Sequence, residues 1–178
     1  MEEALLSYYY QFHAKQHYFL CHDILEEAWK AQPSYSKNDA VVSLILCATG
    51  CYHYRRGNNK GAATLFKRAY RVADYQNNNM ETLGVKHQAY LNMLTQLCEN
   101  ASQQCSFQVT ELPLLAITIK KLKQCYPDYA VMTYINETPY IYDHHLLRDR
   151  HEVEQARIEA LKRSKLKWQK DHDNAEGN

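Results

Sequence analysis

The residues best suited to chemistry lie in YFLCHDILEEAW, Tyr18 to Trp29, where His22, Asp23, Glu26, Glu27 and Trp29 fall within two helical turns. His22 and Glu26 stand at i and i+4, so a helix sets imidazole and carboxylate one above the other. His53, Arg56 and Arg68 follow on two later segments that are expected to pack against this one. Two readings apply. In the first, the residues form a buried hydrogen-bonded network: Glu26 accepts from Arg68 or His53, Trp29 covers the pair, and the cluster fixes which helices meet. In the second, His22, Glu26 and His53 are three ligands of zinc, iron or manganese. Asp23 or Glu27 then serves as general base or supports the ligands, and a fourth position is left for water whose pKa the metal lowers toward ~7. The set falls short of H-E-x-x-H, because its second ligand is a glutamate, and the fixed charge of Arg68 would satisfy the carboxylate and repel a cation. The network is therefore preferred, with a metal-dependent hydrolase as the alternative. No catalytic residue is assigned, and a divalent metal is the one cofactor considered where none is otherwise expected.

Other reactive side chains make poorer sites. His13 and His17 lie a turn apart and His144-His145 open the last charged stretch; each reads as a surface or rim residue. Cys21 precedes His22 directly, which turns the two side chains about 100° apart around a helix and defeats a thiol–imidazole pair. The six cysteines form no C-x-x-C pair and read as free thiols buried as small hydrophobes. Cys47 and Cys51 are a turn apart, too few ligands for a metal on their own. No G-x-S-x-G, P-loop or dinucleotide glycine pattern occurs.

The elements that must position the cluster are helical. Five glycines and four prolines among 178 residues, with no recurring β-branched runs, leave little from which to build a sheet. A first helix spans Glu2 to Lys15, and of its Tyr8, Tyr9 and Tyr10 at least one should lie at a rim. The second runs from about Gln16 to Ala31 and stops before Pro33. It carries a stripe of Tyr18, Cys21, Leu25 and Ala28 beside one of Phe19, His22, Glu26 and Trp29, with Glu27 outside. Asp39 is placed to cap a third helix to Arg56, apolar on nearly every side and hence central. Its interior Gly50 costs about 1 kcal/mol against alanine, which implies a close neighbour. Gly57-Asn58-Asn59 turns the chain into a fourth helix, Lys60 to about Gln76, antiparallel to the third. A fifth helix covers roughly Leu83 to Asn100 and a sixth Glu111 to Gln124, and the aromatic stretch 126–142 is a strand pair or an extended strap. The expectation is an all-α bundle of six to seven helices: a domain over 1–143, a charged helix over 144–170 with Trp168 on its narrow apolar stripe, and a disordered tail over 171–178.

A formal charge of +1, from 21 basic and 20 acidic residues, gives no general attraction for nucleic acid or anionic lipid. No stretch approaches the ~20 apolar residues of a membrane span, and no basic, apolar leader opens the chain; a cytoplasmic protein is expected. A binding or interaction module follows, with an unknown ligand or protein as partner and self-association as one form of it.

Three blocks of this sequence resemble the domain-of-unknown-function 309 family, small helical proteins mainly of bacteria and archaea. Phe12, Tyr18, Phe19, His22, Asp23, Glu26 and Trp29 match its aromatic start and H-E-x-x-E-x-x-W pattern. Tyr52, His53, Arg56, Gly57 and Asn58 match Y-H-x-x-R-G-N, and Gly61, Ala62, Leu65, Arg68 and Ala69 match G-A-x-x-L-x-x-R-A. Asp23 stands where the family has glutamate, and Leu46 where it often has a glutamine. The resemblance implies a helical fold and a shared polar cluster, and no activity.

Overall fold

A computed structural model describes residues 1–76 and 78–143. The charged helix expected over 144–170, the surface or rim position expected for His144-His145 and the disordered tail expected over 171–178 lie outside the described residues. Within them the chain is all-α: α1 (Glu2–Tyr10), α2 (Tyr18–Lys30), α3 (Ala40–Arg55), α4 (Asn59–Ala73), α5 (His87–Ser102), α6 (Ala116–Cys125) and a single turn, α7 (Pro139–Tyr142). The sole β pairing among the described residues is an isolated bridge between Val85 and Leu114.

As its apolar sequence implies, α3 is central. It packs against α2 on one side and α4 on the other, and α4 in turn packs against α5. Val41, Leu44, Cys47, Ala48 and Cys51 are buried along it. Gly50 has the close neighbour its position implies: a Cβ there would fall 2.5 Å from Cε1 of Phe66 on α4. Ala62, Phe66, Ala69 and Ala73 form the buried stripe of α4; three of the four are small, and the large Phe66 is met by Gly50. The turn between α3 and α4 uses Gly57 at φ +75°, a left-handed conformation that glycine adopts without a Cβ penalty. Asn58 then caps α4, its Oδ1 accepting from the Gly61 N–H at 3.0 Å.

The first helix departs from expectation. It ends at Tyr10 and continues as one π-helical turn, Gln11–Lys15, that closes on Gln16 in a left-handed conformation at φ 51°. Tyr8, Tyr9 and Tyr10 are all buried, against the expectation of a rim tyrosine. Each hydroxyl reaches its own acceptor: the Leu44 carbonyl, the Leu83 carbonyl and the exposed carboxylate of Asp128. With an acceptor on every side, a tyrosine has no need of water.

The fifth and sixth helices start later than their periodicity suggests. A 3-10 turn over Met80–Leu83 and Gly84 at φ +86° precede α5, and Pro113 delays α6. The Pro113 carbonyl accepts from the Lys86 N–H at 2.8 Å, so the two lead-in segments tie to each other. Residues 126–138 form an extended strap without regular structure. Cys21, Cys47 and Cys51 are buried as small hydrophobes, whereas Cys105 and Cys125 are exposed, which corrects that expectation for the last two.

Candidate functional site

The two stripes of α2 differ in depth. Tyr18, Cys21 and Leu25 are buried against α1 and α3. The neighbouring stripe of Phe19, His22, Glu26 and Trp29, turned about 100° around the axis, sits half-buried at the edge of that seam. Glu27 is exposed, as its register predicts. The cluster thus lies on a half-exposed face, not in the water-poor spot that the sequence suggested.

Each polar side chain there is held by a near neighbour. His22 donates from Nδ1 to Asp23 Oδ1 at 3.0 Å, since an ionised carboxylate can only accept. Glu26 pairs with Lys30 at 3.0 Å along its own helix. Trp29 Nε1 donates to Asp39 Oδ2 at 2.8 Å, and Tyr35 packs edge-on against its ring with centroids 4.9 Å apart. The Asp39 carboxylate therefore anchors Trp29 and the Ser36 N–H; the residue does occupy the N-cap of α3, but makes no side-chain cap bond.

At the end of α3, His53 accepts at Nδ1 from Asn58 Nδ2, 2.9 Å away; the amide is oriented by Oδ1, which is committed to Gly61. Desolvation, and then the nearby Arg56 charge, lower the His53 pKa, so the imidazole stays a neutral acceptor. Arg56 pairs with Asp143 at 3.1 Å and lies over the Tyr52 ring.

Two expectations fail here. Glu26 is bonded to Lys30 and not to Arg68 or His53. Arg68 sits two residues beyond the buried Phe66, roughly 200° around α4, and is exposed on the outer face of that helix. The proposed ligand set fares no better, because among the described residues no three His, Cys, Asp or Glu side chains gather where they could hold an ion. His22, Glu26 and His53 are therefore not drawn together as one metal centre, and no chemistry is derived through one.

Arg55, by contrast, occupies a place that the sequence reading missed. It is 6% exposed, and no carboxylate pairs with it among the described residues. Its Nη1 donates to the Gln16 carbonyl and its Nη2 to the Ile141 carbonyl, both at 2.9 Å. The guanidinium lies between the Tyr18 and Tyr142 rings, 5.0 and 5.2 Å from their centroids, and the Tyr142 hydroxyl returns a bond to the Arg55 carbonyl. Burial lowers its pKa, and the facing tyrosines oppose that shift. Position was the available signal: Cys47, Cys51 and Arg55 step by four along the buried face.

Arg55 is one of three latches on the strap and on the α7 turn that ends it. Gln16 donates from Nε2 to the Tyr134 carbonyl at 2.7 Å and accepts at Oε1 from the Asn136 N–H at 2.9 Å, pairing as a strand neighbour would. His13 is the third: its Nε2 accepts from the Leu112 N–H at 2.8 Å, its Nδ1 lies 2.6 Å from the Tyr129 hydroxyl, and its carbonyl accepts from Met132. A backbone N–H can only donate, so His13 is neutral with its proton on Nδ1, and desolvation lowers its pKa to about 4. His13 and His17, expected at the surface or rim, are both buried, because the strap covers the face on which they lie.

The chain is similar to the uncharacterized protein YpuF of Bacillus subtilis (strain 168), 29% identical over 171 residues that cover 92% of this chain and 96% of that protein. No solved structure matches it. Residues 5–65 match the family described as Domain of unknown function (DUF309), the same family that the blocks between Phe12 and Ala69 resemble.

Proposed function

We propose that this protein is a binding module whose recognition surface is the half-exposed face made by α2 and the end of α3. The observation that carries this reading is that Phe19, His22, Asp23, Glu26, Trp29, His53 and Arg56 are half-buried, with His22, Glu26, Trp29 and His53 oriented by bonds to neighbours within ten residues and Arg56 by Asp143. Side chains held in place before contact lose little entropy on binding, and aromatic rings among oriented polar groups are what interface centres use. The ligand is a protein or small molecule in the cytoplasm, a second copy of the chain included. A reducing compartment agrees with six free thiols, and no described helix is long and apolar enough to cross a membrane.

The test places a photoreactive residue at Glu27, exposed on α2, and for comparison at Gln124, exposed on α6. In cells of the source organism, the Glu27 position should give an adduct of discrete mass that disappears with His22→Ala or Trp29→Ala; light scattering tells whether it is a second copy. Equal labelling from both positions refutes the reading. Stoichiometric metal in the purified protein, lost in both His22→Ala and Glu26→Ala, would replace it with a metal-dependent function. Because these side chains are half-exposed, either alanine variant should change stability by less than about 1 kcal/mol.

A further inference from the structure

The other flank of α3 carries a different kind of surface. No Asp or Glu occurs between Asp39 and Asp74, and α4 holds four cations: Lys60, Lys67, Arg68 and Arg71. All four are exposed, and none makes an ion pair among the described residues. Lys60, Lys67 and Arg71 share one side of the helix, with Thr64 between them, over roughly 16 Å of its length. Beside this row runs a groove of about 360 Å³ between α4 and α5. Phe66 and Leu94 form its floor, both fully buried, with Tyr70 and Cys98 half-buried above them. Lys67 and Arg71 stand on the α4 lip. The α5 lip is formed by Thr95 and by Glu99, the one Asp, Glu, Lys or Arg of that helix.

We propose that this groove docks an acidic amphipathic helix from a partner protein. The half-exposed Tyr70 and Cys98, lying over the fully buried Phe66 and Leu94, meet the partner's aliphatic stripe, and the cations of α4 take the carboxylates along one side of it. A phosphate backbone would use the cations alone. It would leave the half-exposed Tyr70 and Cys98 unused, so the combination favours a peptide over a nucleic acid. Among the described residues these lysines and arginines make no ion pair, which leaves them available to a partner's carboxylates. This surface is separate from the α2–α3 face, and either can fail without the other.

The test uses three fluorescent 18-residue peptides with the same leucines at i, i+3, i+4 and i+7, filled elsewhere with Glu, Gln or Lys, titrated against the full chain by anisotropy. The Glu peptide should bind roughly tenfold or more tightly than the Gln peptide, and the Lys peptide should bind least. The double variant Lys67→Glu with Arg71→Glu, both at exposed positions, should reverse that order while its circular dichroism is unchanged. Equal affinity for the Glu and Gln peptides, or no binding of either, overturns the proposal. So does mixed-sequence duplex DNA that binds more tightly than the Glu peptide and displaces it. A wild-type dimer that the double variant converts to a monomer overturns it as well, because the groove would then be an interface between copies.

Discussion

Stability between pH 6.5 and pH 4 should fall because of His13. In the folded chain both of its ring nitrogens are engaged at 2% exposure, Nε2 as an acceptor from Leu112 and Nδ1 with Tyr129. Protonating Nε2 would break the Leu112 bond and bury a charge without a counterion, which is why the pKa falls to about 4. In the unfolded chain the same imidazole titrates near 6.5, so between those values the unfolded state binds more protons and acid favours it. The depressed folded pKa means the contribution is complete above pH 6.5 and declines as the pH falls toward 4. The gap corresponds to about 3 kcal/mol in all, with about 2 kcal/mol lost by pH 5. Carboxylates titrate at the lower end of this range, so the quantity to measure is a difference. Urea unfolding of wild type and of His13→Gln, followed at several pH values, should give curves that converge as the pH falls from 7 to 5. The variant starts less stable at neutral pH and lacks the His13-linked slope. Two curves that stay parallel across that range would refute the assignment of a buried neutral imidazole.

Two further substitutions probe the packing and the strap. Gly50→Ala gains about 1 kcal/mol of helix propensity but drives its methyl into the buried Phe66 ring, an overpacking that costs about 1–3 kcal/mol. Thermal melts should show a net loss of about 1 kcal/mol, and Phe66→Leu in the same chain should offset part of it, a coupling that a double-mutant cycle detects. Arg55→Lys keeps the charge but cannot span both the Gln16 and Ile141 carbonyls, so it should cost roughly 3 kcal/mol. Limited proteolysis should then cut within 126–143 before it cuts the helices.

The all-α class, the central α3 and the α3–α4 hairpin were legible because each rests on local physics: apolar periodicity, a left-handed glycine, and an asparagine cap one residue later. The α2 stripes were legible too, but their depth was not. A period of 3.6 says which residues share a face and leaves open how far a neighbouring helix extends over it. Arg55 and Arg56 show the limit most plainly. Adjacent and identical, they invite the same reading, two cations at a helix C-terminus where the dipole favours them. What separates them is about 100° of rotation. That rotation turns Arg55 under α7, more than 80 residues away in sequence, and leaves Arg56 at the rim with Asp143. His13 and Gln16 are hidden from a sequence reading in the same way, since their partners lie some 100 to 120 residues on. The strap's own residues, at 126–138, show no period that would announce where they lie. The motif residues behave differently: among the described residues His22, Glu26, Trp29 and His53 bond neighbours one to ten residues away, so these pairs need little from the tertiary fold to form. A surface patch that orients itself locally on a helix pair suits recognition better than it suits holding the core together, and the core here is held by leucines, tyrosines, alanines and a buried arginine instead.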